Sequence, residues 1–184
     1  MKTNFMAAVL ASSIAVVASG ISTEASAQYL QKAFIYHNDS GKCADFAAFN
    51  TSNSVTMQLW SCGGNSATNQ QWYLVPAGQY PGAASYLFQN VANWTCAAVE
   101  HDSLLNGAKI VQRTCDPNNP SQHWIHLANS APGASKTRWM NGRSAKCLDV
   151  WNNGNGTVFQ QYTCAGNSNW GPQGFETHFV PFGS

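Results

Sequence analysis

Charge is what this sequence has least of: only 9% of its 184 residues are Asp, Glu, Lys or Arg, against about 25% in an average globular chain. Nine basic residues against eight acidic ones leave a net charge of +1, with no run of one sign. Such a chain has no electrostatic hold on a nucleic-acid backbone or an anionic membrane surface. A disordered solvating tail and a charge-laced coiled coil are excluded as well, because 44% of the residues are hydrophobic and 12% aromatic. Cys-x-x-Cys, Gly-x-Ser-x-Gly, His-Glu-x-x-His and a phosphate loop are all missing. No zinc site, nucleophile elbow or nucleotide cradle is therefore expected, and no cofactor or metal.

Acids are scarce too. Beyond residue 27 the carboxylates are Asp39, Asp45, Glu100, Asp102, Asp116, Asp149 and Glu176, a thin supply for a glycosidase, which needs two across one sugar bond. Glu100-His101-Asp102-Ser103 has catalytic letters, but read as an extended segment its neighbours point to opposite faces, so a polar loop is expected there. His37, His123, His126 and His178 are scattered. The chain is not expected to be an enzyme.

The N-terminus carries Lys2, an apolar and small stretch from Met6 to Val17, and a small-x-small sequence at Ala25-Ser26-Ala27. That stretch is short beside the ~20 apolar residues of a membrane span, so residues 1-27 are expected to be a cleaved signal peptide rather than an anchor. No other apolar stretch is long enough to span, which argues against an integral membrane protein. Residues 28-184 would then form one secreted, extracellular domain. Sequons at Asn38, Asn50, Asn93 and Asn155 matter only in a host that glycosylates exports.

All six cysteines lie in residues 28-184, as an exported disulfide protein would have them. Cys43 and Cys62 are 19 apart, Cys96 and Cys115 also 19, Cys147 and Cys164 17, and the pairs begin 53 and 51 residues apart. Matched pairs at a fixed period predict one bridge inside each of three repeats, each closing a loop worth ~3 kcal/mol in the chain-entropy model. A second marker keeps the same period. Gln70-Gln71-Trp72, Gln122-His123-Trp124 and Gln173-Gly174-Phe175 follow the second cysteine of each pair. The repeats span about 33-80, 81-130 and 131-182.

Inside a repeat the residues alternate with the period of a strand, as in Val55-Thr56-Met57-Gln58-Leu59-Trp60 and, more loosely, Thr157 to Tyr162. Turn dipeptides punctuate the rest: Asn106-Gly107, Asn141-Gly142, Asn153-Gly154 and Asn155-Gly156. The chain is all-β. A fifty-residue unit of short strands cannot bury its own apolar face, so three units must share a core around a pseudo-threefold axis. A β-sandwich would not account for threefold repetition.

Cys147-Leu148-Asp149-Val150, Asn155-Gly156-Thr157, Gln160-Gln161-Tyr162-Thr163-Cys164 and the three Gln-x-aromatic markers together resemble the ricin B-type lectins. The resemblance covers about residues 33-182 and implies a β-trefoil that binds glycans or polysaccharides without catalysis. It also implies galactose-type sites, in which an Asp and an Asn bond hydroxyls, an aromatic stacks on the sugar, and the marker Gln steadies the Asp. The first repeat has Asp45, Gln58, Trp60, Asn69 and Gln70 at those positions. The third has Asp149, Gln160 and Tyr162, but Pro172 precedes Gln173, so the amide would come from Asn167 or Asn169. The middle repeat keeps its cysteines, Gln122 and Trp124, yet puts Ala98 where Asp45 stands and Arg113 where Trp60 stands. Fold residues persist while site residues vary, so two sites are expected, in the first and third repeats. Trp72, Trp124 and Phe175 are expected in the core, with the marker glutamines bonding backbone groups. The competing readings are a targeting subunit for a separate toxin or polysaccharide-degrading enzyme chain, and, from another class, a β-trefoil protease inhibitor.

Overall fold

The computed structural model describes residues 32–47, 52–128, 136–166 and 170–180. The expected signal peptide, the Asn50 sequon, Asn167 and Asn169 lie outside the described residues. Among the described residues the secondary structure is strand with five single 3-10 turns. The period-two alternation leads to this, since each strand then offers one apolar face to a shared interior.

The first repeat contributes β1 (Lys32–His37), β2 (Lys42–Phe46), β3 (Met57–Trp60) and β4 (Gln71–Pro76). The second contributes β5 (Ser85–Asn90), β6 (Cys96–Val99), β7 (Ile110–Arg113) and β8 (Trp124–Ala128). The third contributes β9 (Thr137–Asn141), β10 (Cys147–Asp149), β11 (Gln160–Tyr162) and β12 (Phe175–Phe179). The outer strands of the repeats pair in the circuit β1-β4-β5-β8-β9-β12 and back to β1, which closes a six-stranded barrel. The inner strands form three hairpins, β2-β3, β6-β7 and β10-β11. Isolated bridges Thr56–Val111, Gln58–Val158 and Lys109–Gln160 join these hairpins into a cap. This is the β-trefoil, with one disulfide in each repeat at Cys43–Cys62, Cys96–Cys115 and Cys147–Cys164.

The core draws on all three repeats: Phe46, Trp72, Phe88, Trp124, Trp139, Phe159 and Phe175 belong to one apolar cluster. Trp72 and Trp124 satisfy their indoles by donating to Ala44 O (3.2 Å) and Ala97 O (3.0 Å). The three marker glutamines each clasp the chain on both sides of the second cysteine. Their amides donate to Ser61 O, Thr114 O and Thr163 O (3.1 Å each), and their carbonyls accept from Gly63 N, Asp116 N and Ala165 N (2.8–2.9 Å). These expectations of core and marker are met.

Three buried or bonded groups set the response to acid. Burial pushes His37 and His126 below the usual histidine pKa of 6.5, with the Gly171 carbonyl partly opposing the shift at His37. The Ser121 hydroxyl and the Asn119 amide pull Asp102 below the usual carboxylate range. Each group binds a proton more weakly folded than unfolded, so stability is full above the unfolded pKa and falls as pH drops below it. Melting curves should show a lower Tm at pH 5 than at pH 7, from the two histidines, and a further decline below about pH 4 from Asp102. A Tm unchanged between pH 7 and pH 5 would contradict the histidine assignment.

Candidate functional site

In the first repeat, the β2-β3 hairpin sets Cys43 opposite Trp60 and Asp45 opposite Gln58. Alternation sends Ala44, Phe46, Met57 and Leu59 into the core and leaves Asp45, Gln58 and Trp60 together on the outer face. The 3-10 turn Thr68–Gln70 packs beside β2 and brings Asn69 and Gln70 to the same place. All five expected residues therefore meet. They line one open hollow of about 500 Å³, to which Ser61 and Gly63 also contribute.

Asp45 is only 3% exposed, and amides fix its orientation. Gln58 Nε2 donates to Oδ1 at 3.0 Å, while Asn69 Nδ2 and Gln70 Nε2 donate to Oδ2 at 2.8 and 3.0 Å. A carboxylate has about four acceptor positions, so these three bonds leave room for a hydroxyl donor from outside. Asn69 is steadied by a second bond to Phe46 O at 3.3 Å, and its own Oδ1 accepts nothing among the described residues. Trp60, 44% exposed, presents its ring beside them. The arrangement offers an oriented carboxylate, a free amide oxygen and an apolar face, and it suits a polyhydroxylated ring with one C–H face.

The third repeat reproduces the pairing, with Cys147 opposite Tyr162 and Asp149 opposite Gln160. Asp149 is 6% exposed, and accepts from Gln160 Nε2 at 2.8 Å and from Gln173 Nε2 at 3.0 Å. Tyr162 is 46% exposed. Pro172 occupies the place of Asn69 and has no amide to give, so this carboxylate has one donor fewer among the described residues; Asn169 lies outside them.

The middle repeat keeps the register, Cys96 opposite Arg113 and Ala98 opposite Val111, but not the chemistry. Ala98→Asp is expected to gain no sugar binding and to destabilise the domain by about 1–3 kcal/mol. Ala98 is 1% exposed, and Val111 across from it has no amide to match Gln58. Denaturant melts and a sugar titration of this variant check both halves. Residues 100–102 differ from the expected extended loop: they form a 3-10 turn, and His101 and Asp102 are both left-handed, with φ of 54° and 52°. Positive φ at non-glycine residues leaves no trace in strand or helix periodicity, which is why sequence reasoning missed it.

One further set of residues escaped sequence reasoning. The segment just after each hairpin is capped by an asparagine in the hairpin loop of a neighbouring repeat: Asn155 Oδ1 accepts from Ser61 N (3.1 Å), Asn53 Oδ1 from Thr114 N (3.2 Å) and Asn106 Oδ1 from Thr163 N (2.9 Å). Only their recurrence at turn dipeptides in two of the repeats pointed to them.

The sequence profile of ricin-type β-trefoil lectin domain-like proteins matches residues 68–162. No curated protein sequence matches the chain. Among solved structures, the designed threefold-symmetric protein ThreeFoil superposes with a TM-score of 0.69 at 24% identity, over 81% of this chain and 99% of its own. An exo-β-1,3-galactanase from Clostridium thermocellum gives 0.68 at 24% identity, over 82% of this chain but 30% of the enzyme. The C-terminal half of an earthworm R-type lectin, in complex with GalNAc, gives 0.58 at 19% identity, over 82% of this chain and 99% of its own. At these identities the likeness speaks to fold alone, and it agrees with the barrel and cap. The profile match takes in more than half of the chain, including the Gln-x-Trp marker of the first repeat, the whole middle repeat and the Asp149–Tyr162 hairpin. The chain belongs to the ricin-type β-trefoil lectin domain-like family.

Proposed function

We propose that this protein is a secreted lectin that binds galactose-type glycans non-covalently through two sites, centred on Asp45 with Trp60 and on Asp149 with Tyr162. The observation that carries the reading is the buried Asp45 carboxylate, held by three amide donors directly beside a half-exposed tryptophan. A structural turn aspartate needs no aromatic neighbour in solvent, and an exposed tryptophan needs no oriented carboxylate. A sugar uses both. The galactose preference is supported by the family pattern and by the earthworm lectin, whose structure holds GalNAc. Export rests on the N-terminal sequence and on the three disulfides. Among the described residues no helix is long and apolar enough to cross a membrane.

A second reading, that the domain targets a separate enzyme or toxin chain to glycans, is favoured by one feature. Leu104 and Leu105 stand exposed side by side in the middle repeat. The two readings share the same sites. Binding to a glycan array, run beside a protease inhibition panel, tests them together: retention of galactose-terminated glycans supports the proposal, and an empty array with inhibition of one protease would replace it.

A further inference from the structure

The middle repeat lost the strand carboxylate and the aromatic platform, yet it holds a hollow of about 420 Å³ in the corresponding place, lined in part by Asp102, Arg113, Asn119 and Asp116. We propose that this hollow is a third carbohydrate site of different chemistry, one that takes a sugar bearing a carboxylate.

Its carboxylate comes from a turn instead of a strand. Asp102 Oδ1 accepts from the Ser121 hydroxyl and from Asn119 Nδ2 (3.2 Å). Ser121 holds the chain position that Asn69 holds in the first repeat, immediately before the marker glutamine, so the same turn now steadies a carboxylate of another origin. Asp102 Oδ2 accepts nothing among the described residues. The turn is braced from outside, Arg143 Nε donating to Asp102 O at 3.1 Å. Its two consecutive left-handed residues are a backbone state that persists only where surrounding contacts impose it, and such states gather at binding sites.

Arg113 takes the place of Trp60, and it too is held. Ser54 Oγ accepts from Arg113 Nη1 at 2.8 Å. Ser54 has φ of 84°, whereas Gly107 and Gly156, at the same turn position of the other repeats, have φ of 80°. Glycine adopts this conformation without strain and serine does not; the serine supplies a hydroxyl that orients the guanidinium. Neither Asp102 nor Asp116 forms an ion pair with Arg113 among the described residues, and the Asp116 carboxylate instead accepts from Asn118 N at 2.9 Å. The hollow thus presents an oriented guanidinium with donors to spare, an oriented carboxylate with a free oxygen, and no flat apolar face. A planar fork of N–H groups matches a carboxylate, while Asp102 Oδ2 accepts from ring hydroxyls. A neutral sugar offers the guanidinium only uncharged hydroxyl and ring oxygens in place of a charged, bidentate acceptor.

The test uses the full chain carrying Trp60→Ala and Tyr162→Ala, two exposed positions whose loss silences the first and third sites without touching the core. This variant is titrated by NMR with methyl galacturonoside and with methyl galactoside, which differ only at the C6 carboxylate. The galacturonoside is expected to bind about tenfold more tightly, and adding Arg113→Ala should remove that advantage. Ser54→Gly, which frees the guanidinium while relaxing the turn, should weaken galacturonoside binding with no loss of Tm. Equal affinity for the two sugars, or a galacturonoside affinity unchanged by Arg113→Ala, would overturn the proposal. The galactose reading stands or falls separately, on the wild-type chain's binding of methyl galactoside.

Discussion

Asp45→Ala is expected to eliminate sugar binding at the first site and to leave the domain folded. The variant deletes the one acceptor position that the three amides leave open to a sugar hydroxyl, a bond to a charged group contributing ~1.5–3 kcal/mol, so affinity should fall about ten- to a hundredfold. The cost to stability is smaller because two of the three amides have other acceptors. Asn69 keeps Phe46 O, Gln70 keeps Ser61 O, and only Gln58 loses its acceptor. A loss of about 1–3 kcal/mol is the expected ceiling. Calorimetric titration and thermal melts separate the two effects. Early melting with sugar affinity intact would make Asp45 a structural residue and remove the basis of the first site.

The second large effect is one of valency. The first and third hairpins sit on different repeats of one rigid barrel, so their sites face different directions and cannot share one small sugar. Each should bind a monosaccharide independently, with a calorimetric stoichiometry near two. Asp149→Ala should halve that stoichiometry and leave the intrinsic affinity of the remaining site nearly unchanged. On a galactose-coated surface the same variant should bind about 10²-fold more weakly, since the second contact is made at high effective concentration. Pro172 is where this is most exposed. If the lost amide donor disables the third site, the wild type will titrate as monovalent, Asp149→Ala will be silent on the surface, and the bivalent mechanism must be withdrawn.

How far the sequence reveals such a site depends on which backbone carries it. Asp45, Gln58 and Trp60 were legible because they lie on strands, where a two-residue spacing fixes the face and the flanking cysteines fix the register. The closed barrel was legible at the level of threefold repetition, although nothing local specifies which outer strands pair. In the middle repeat strand periodicity shows Ala98 and Arg113 in the places of Asp45 and Trp60, but it carries no sign of Asp102, which lies on a turn. The extended geometry expected for residues 100–103 fails at His101 and Asp102, whose φ values are positive. One trace of the change is visible in the letters. Asn53-Ser54 stands where the other repeats have Asn106-Gly107 and Asn155-Gly156, and the serine at this glycine position gives Arg113 a hydroxyl acceptor at some expense of backbone ease.

The asparagine caps give the trefoil a circular dependence. Asn155 of the third repeat completes the loop of the first, Asn53 of the first completes the second, and Asn106 of the second completes the third. No fifty-residue unit owns a finished rim. A single repeat expressed alone could present one only by assembling with two further copies into a homotrimer, each copy lending its asparagine onward. Completion of the rims and closure of the ring would then arise in the same step.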